Sequence, residues 1–360
     1  MRKTIIAIGC WFLLLSTANA TDVKLLEQAN EQIENQTYAS IDSMLVSKSG
    51  SVVSEHYYGR FDANTLHRTH SSFKSIAGLL TLIAIDQKLL RTDEPILPLL
   101  ALLTPETNED PRQTRITVGH LLDMTSGLDC DEAPQSQGPS HEEGVDEGQT
   151  PLIYSLGIDM AHEPGSEWHY CSANSFMLTA TVSGALKRAN RGNIFEFADE
   201  NLFAPLGITN YRLTRSANGK LLNGQGNSYF RPKDLLKIGQ LLLNRGRWNE
   251  KQIISGKNIA RLFNAKETIN WSWTDTIDEH PKTTSLYSSQ WYQTTFIVND
   301  IEVPITHSWG NGGQFIFVAP TLELAAVFTG SNQGSYRINL QKQPFDIMYR
   351  YVLPAIIATK

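Results

Sequence analysis

The sequence predicts an α+β protein: an antiparallel β-sheet flanked by helices and interrupted by a largely helical insertion. Three observations carry this. Segments rich in Val, Ile, Tyr and Phe stand near both ends of the chain, at 41–60 and again after about Ser285. The residues between them read as short helices and loops. The segment His70–Leu80, HSSFKSIAGLL, passes from a polar cluster straight into an apolar helix and sets a lysine at its head.

Residues 1–20, MRKTIIAIGCWFLLLSTANA, combine Arg2 and Lys3, an apolar run from Ile5 to Leu15 and the small-residue site Ala18-Asn19-Ala20. The run is short for a membrane span, so the pattern is that of a secretory signal peptide cleaved after Ala20, and a periplasmic or secreted protein is expected. Residues 41–60 read as two strands around the turn Ser49-Gly50. A helix follows from about Ser71 to Leu90, apolar on most sides through Ile76, Leu79, Leu80, Leu82 and Ile83, which marks a core helix. The insertion, about 96–284, holds VGHLLDMTSGL, NSFMLTATVSGALKRA, IFEFADENLFAPLGI and RPKDLLKIGQLLLNRG, with an acidic stretch at 135–150 read as an exposed loop. Strand character returns in LYSSQWYQTTFIV, IEVPITHSW, GQFIFVA and LELAAVFTG, and FDIMYRYVLPAIIA closes the chain as a helix up to its proline. The mature chain, 21–360, is thus expected to be one domain whose α/β part comprises about 21–95 and 285–360.

The net charge is −6, and becomes −8 once Arg2 and Lys3 are removed with the leader, which argues against a nucleic-acid partner. No later apolar run is long enough to span a bilayer, so no transmembrane segment is expected in the mature chain. Of the three cysteines Cys10 lies in the leader, leaving Cys130 and Cys171. In an oxidising compartment that pair is a candidate disulfide, with two separate buried thiols as the alternative.

Ser71 and Lys74, an S-x-x-K pair, fall one helical turn apart. At the start of a helix the Ser71 hydroxyl would feel the positive end of the helix dipole and could take a hydrogen bond from Lys74, which gives a nucleophile and its base. The competing reading is an N-cap serine beside a lysine whose head reaches for water. A second constellation, Glu163–Asn174, runs EPGSEWHYCSAN and could aim the Tyr170 phenol into a cleft, where a lysine would favour the phenolate. The third, His307–Phe315, HSWGNGGQF, places glycines where an edge strand begins, so that backbone N–H groups could serve as oxyanion donors.

In this order and at these separations the three elements resemble the serine β-lactamase and penicillin-binding-protein superfamily, in its class C β-lactamase-like branch of esterases and peptidases. His120–Leu128, Pro164-Gly165, Leu202–Ile208 and Arg231–Leu235 extend the likeness over roughly 40–335. The resemblance implies that Ser71 attacks a carbonyl of a small-molecule or peptide-like substrate, forming an acyl-enzyme that water hydrolyses without cofactor or metal. Lys74 would accept the serine proton, or hold Tyr170 deprotonated to do so. The oxyanion would rest on the N–H groups of Ser71 and of the third motif, with Gly312 favoured. Ser172, Trp309, Gly310 and Asn311 would contact substrate. In branch members with this cysteine pair a bridge would pin the Thr125–Leu128 loop to the tyrosine motif.

Two positions depart from the antibiotic-hydrolysing pattern. Ser172 stands where those enzymes usually carry Asn, and Trp309-Gly310-Asn311 lacks the lysine of a K-T-G triplet, so poor turnover of classical β-lactams is expected. A zinc site made of His162, His169, Cys171 and Cys130 fits no common spacing. A non-catalytic protein that binds peptidoglycan fragments or a partner is the rival function, and retention of Ser71, Lys74 and Tyr170 together speaks against it.

Overall fold

The computed structural model describes residues 23–105, 110–132, 151–216, 218–269, 285–333 and 338–357. The expected leader and the acidic stretch 135–150 lie outside these residues. In chain order the elements begin with helix α1 (Val23–Glu34), strands β1 (Ile41–Lys48), β2 (Ser51–Tyr57) and β3 (His67–Arg68), and helix α2 (Ser72–Asp86). Then come helices α3 (Leu97–Leu100), α4 (Val118–Leu122), α5 (Pro151–Gly157), α6 (Ser172–Arg188) and α7 (Ile194–Ala198). The strands β4 (Tyr211–Arg212) and β5 (Tyr229–Phe230), helix α8 (Pro232–Leu243), strands β6 (Arg247–Trp248) and β7 (Lys251–Gln252), and helix α9 (Gly256–Phe263) follow. The last strands are β8 (Glu267–Thr268), β9 (Leu286–Ser288), β10 (Trp291–Val298), β11 (Ile301–His307), β12 (Phe315–Ala319) and β13 (Leu324–Gly330).

One eight-stranded antiparallel sheet, ordered β2-β1-β13-β12-β11-β10-β9-β8, joins the two ends of the chain. The junction is β1 against β13, where Met44 pairs with Phe328 and Val46 with Ala326. Ser49 and Gly50 both take positive φ, 50° and 82°, the backbone twist a two-residue hairpin requires. Alternate residues of these strands feed two cores. Leu45, Ile316, Val318, Ala325 and Val327 pack with Ile76 of α2, Phe176 of α6 and Ile238 of α8. Met44, Val46, Phe317, Ala326 and Phe328 pack with Leu26 and Ile33 of α1 and with Met348 and Val352 near the C-terminus. A sheet covered on both faces needs apolar residues at every position, which is why β13 reads LAAVFTG without polar alternation.

Several elements differ from the sequence reading. β8 rises from within the expected insertion and extends the sheet beyond β9. The third motif lies in the β11–β12 connection, inside the sheet, and not at an edge strand. Helix α2 stops at Asp86, because Lys88 turns to φ 60° and the N–H groups of Lys88 and Leu89 return to the carbonyls of Ile85 and Ala84. The C-terminal helical stretch passes through Pro354: a π-helical turn, Met348–Val352, leads into Leu353–Ile357, where the proline falls in the first turn and no N–H is needed.

The β9–β10 turn fastens the sheet to the helical layer. Gln290 donates its main-chain N–H to the Leu122 carbonyl at 2.8 Å and its side-chain amide to Leu121 at 2.7 Å. Its carbonyl accepts from Ser75 Oγ and its Oε1 from Ser175 Oγ, each at 2.6 Å, so one residue ties α2, α4 and α6 to the sheet. Among the described residues no helix is long and apolar enough to cross a membrane.

His307, at the end of β11, is fully buried and stacked on Tyr292 at 5.4 Å. Burial pushes its pKa down to about 3 from the ordinary 6.5. Between these values the unfolded chain holds a proton that the folded chain refuses, so this contribution to stability is lost as pH falls below 6.5, at up to about 1.4 kcal/mol per pH unit. Urea unfolding of the protein and of His307→Asn at pH 7 and pH 5 is expected to show a smaller acid loss in the variant.

Candidate active site

The site grows from the start of α2. His70 adopts φ 46°, a left-handed turn that delivers Ser71 at the helix N-terminus with φ −62° and ψ −14°. The Ser71 side chain makes no capping hydrogen bond, which removes the N-cap reading. It is partly exposed, and its Oγ accepts a 3.0 Å hydrogen bond from Lys74 Nζ. Lys74 is 3% exposed, donates a second bond of 2.7 Å to the Gln225 carbonyl, and lies 5.1 Å from the centroid of the Tyr170 ring. Among the described residues no carboxylate lies within ion-pair reach of it. Burial, then the Arg68 and Lys74 cations, hold His70 down to about 4, so it stays neutral in ordinary buffers.

Tyr170 is buried and precedes α6. Its phenol is hydrogen-bonded to that of Tyr292, which burial first, and then Tyr170, keep protonated well above the ordinary tyrosine range. The Cys130–Cys171 disulfide, with Cα atoms 5.5 Å apart, anchors the residue after the tyrosine. The loop at Thr125–Leu128 is paired to the same segment: the Thr125 carbonyl accepts from Gly165 N–H at 2.7 Å and Gly127 from His162 at 3.0 Å.

The third motif docks onto the serine's turn. Ser72 and Ser308 hydroxyls share a 2.6 Å hydrogen bond, and a side chain at Gly310 would stand 2.3 Å from the Thr69 carbonyl and 2.9 Å from the Ser72 nitrogen. Only glycine allows that approach. Gly312 faces Gln333 instead, where a Cβ would lie 2.7 Å from its amide nitrogen. Among the described residues the main-chain N–H groups of Ser71, Asn311 and Gly312 donate to no protein acceptor.

Two expected substrate contacts are otherwise engaged. Ser172 is buried, its hydroxyl donating to Glu132 Oε2 at 2.6 Å while its N–H donates to Oε1 at 3.1 Å. Glu132 thereby caps the N-terminus of α6, a role for a carboxylate that the spacing of motifs did not suggest. Trp309 is 6% exposed and packs among Tyr292, Phe315 and Phe345 with centroids 6.1, 5.6 and 5.7 Å away. The sequence reading also missed Gln225. Its signal was the pair Gly224 and Gly226 in Asn223–Asn227, since a Cβ at Gly226 would strike the His70 carbonyl at 2.8 Å. A separate groove of about 1040 Å³, lined by Lys88, Arg91, Thr92, Glu94, His120 and Lys257 among others, opens near the C-terminal end of α2, and neither Ser71, Lys74 nor Tyr170 reaches it.

A family model described as Beta-lactamase matches residues 31–338. No curated protein sequence matches the chain. Among solved structures, a Bacillus anthracis protein provisionally named a 6-aminohexanoate-dimer hydrolase superposes with a TM-score of 0.70 at 17% identity, covering 90% of this chain and 81% of its own. A hydrolase with promiscuous acyltransferase activity, EstCE1, gives 0.66 at 18% identity over 91% of this chain and 99% of its own. An octameric penicillin-binding protein homologue from Pyrococcus abyssi gives 0.67 at 16% identity, covering 93% and 77%. These likenesses show the fold.

The disulfide closes a loop with a sequence separation of 41, and constraining a loop of that length in the unfolded chain contributes about 4 kcal/mol in the entropy model. Denaturant unfolding of the oxidised protein against Cys130→Ser/Cys171→Ser is expected to show a loss of about 2–4 kcal/mol.

Proposed function

The chain belongs to the β-lactamase family of serine hydrolases, and on that premise we propose that Ser71 is its nucleophile, acting through an acyl-enzyme on esters or short amides that carry no anionic group beside the scissile bond. The observation that carries the reading is the buried Lys74 amine at 3.0 Å from Ser71 Oγ.

In the proposed reaction Ser71 Oγ attacks the substrate carbonyl carbon, and its proton passes to Lys74 Nζ. The carbonyl oxygen becomes an oxyanion held by the N–H of Ser71 and by an N–H of the Asn311-Gly312 turn. Collapse breaks the bond to the leaving alcohol or amine, which receives the proton through Lys74 and Tyr170. Water then attacks the acyl carbonyl by the same route in reverse, releasing the acid and restoring Ser71. Tyr292 holds the Tyr170 phenol in place.

The substrate class follows from what the described residues of the site lack. Trp309 occupies the place of a K-T-G lysine and is packed into an aromatic cluster, so it offers no cation to a substrate carboxylate. Ser172, bound by Glu132, offers no hydroxyl proton. Classical β-lactams carry such a carboxylate and are expected to be poor substrates. Export from the cytoplasm, proposed from the leader-like residues 1–20, is supported by the Cys130–Cys171 disulfide, since such bonds persist in oxidising compartments.

A fluorophosphonate probe is expected to add once to the mature protein, as read by intact mass, and not to Ser71→Ala. p-Nitrophenyl esters should turn over well and nitrocefin poorly. A folded protein that takes no adduct would instead be the non-catalytic binder, and nitrocefin turnover that rivals ester turnover would refute the substrate class.

A further inference from the structure

Outside the Ser71 constellation two histidines converge on one carboxylate. The rings of His162 and His169 stack with centroids 4.8 Å apart and 10° between their planes. Glu167 reaches both, with Oε1 3.3 Å from His162 Nδ1 and Oε2 3.4 Å from His169 Nε2. Those separations are long for charge-assisted hydrogen bonds, which close to about 2.7–2.9 Å. They leave room between the imidazole nitrogens and the carboxylate for an ion at about 2.0–2.1 Å from each ligand atom, the bond length of zinc to imidazole and carboxylate. The three residues offer ligand atoms that all lie within 4.8 Å of one another.

We propose that His162, Glu167 and His169 bind one divalent transition-metal ion, zinc by ligand preference, with a fourth position left to solvent. The backbone holds the two imidazoles in place: His162 N–H donates to the Gly127 carbonyl and His169 N–H to the Met124 carbonyl, each at 3.0 Å. Behind His169, Asp131 Oδ2 lies 3.9 Å from Nδ1, on the side away from Glu167, at ion-pair distance. Glu167 is the adaptable arm, its side chain 57% exposed. A cleft of about 380 Å³ lined by Asp131, Glu167, His169 and Lys266 among others gives an ion entry. Cys130 and Cys171 are bonded to each other and offer no thiolate to these histidines, whose third ligand is Glu167.

An ion there would tie together both sides of the Pro164-Gly165 turn, through His162 before it and His169, the residue ahead of Tyr170, after it. Occupancy therefore restrains the segment that carries the tyrosine without entering the Ser71 chemistry.

Untagged mature protein, stripped with a chelator and dialysed, would be titrated with Zn²⁺ by calorimetry and with Co²⁺ by visible absorption. One ion per chain is expected, with the intense visible bands of tetrahedral cobalt and a melting temperature raised by Zn²⁺ through mass action. His162→Ala and His169→Ala should each weaken binding ten-fold or more, with His162→Gln and His169→Gln as substitutes should an alanine variant lose its metal-free circular dichroism. Absence of saturable binding to the wild type, or binding unchanged in both folded variants, would overturn the site. Neither result depends on whether Ser71 is labelled by a fluorophosphonate.

Discussion

An amine buried with no carboxylate beside it among the described residues is the constraint to which the rest of this site is fitted. Taking an ammonium out of water costs several kcal/mol, and a hydroxyl and a carbonyl return less of it than an ion pair would. Lys74 has those two partners, Ser71 Oγ and the Gln225 carbonyl, with the face of the Tyr170 ring beside it. Such a lysine persists only where other interactions hold the surrounding backbone. Here α2 is buried along nearly its whole length from Ser72 to Ala84, and the apolar packing of that helix supplies the stability against which the lysine stands.

The partners arrive from remote parts of the chain, and each is fixed by its own device. Gly226 lets the Gln225 loop lie against the His70 carbonyl, and Gly310 lets the β11–β12 connection lie against Ser72. Gln290 fastens the sheet to α2, α4 and α6, so those approaches cannot drift independently. The disulfide and the Glu132 cap then set the first turn of α6, and with it the tyrosine, relative to the Thr125–Leu128 loop. Nucleophile, amine and phenol are thus positioned by rigid elements, which is what acyl transfer at a fixed geometry requires.

The parts of this arrangement legible in the sequence are those set by local pattern. The hairpin at Ser49-Gly50 and the apolar head-to-tail character of α2 follow from turn chemistry and hydrophobic periodicity. The Ser71–Lys74 contact follows from helical spacing alone. What stayed hidden depends on contacts far apart in the chain. Ser172 gives its hydroxyl to Glu132, which stands at the far end of the disulfide-closed loop, 40 residues away in sequence. Trp309 looked like a substrate contact, yet Phe345 of the C-terminal helical stretch covers it. β8 is two residues long and joins the sheet only because β9 offers an edge, a length at which no periodicity exists. Glu167 escaped notice for the opposite reason: spacing rules look for histidines and cysteines, whereas the structure gathers two histidines on a carboxylate between them.

The role assigned to Lys74 is tested most directly by the rate at which Ser71 becomes acylated. Rapid-quench intact-mass measurement with a p-nitrophenyl ester would compare the wild type with Lys74→Met, whose apolar chain fills the same buried space without an amine. Loss of a general base predicts acylation slowed by about 10²–10⁴-fold with the far-ultraviolet circular dichroism unchanged. Acylation of the folded variant within a few-fold of wild type would contradict the account and move the base elsewhere, with Tyr170 the first residue to replace.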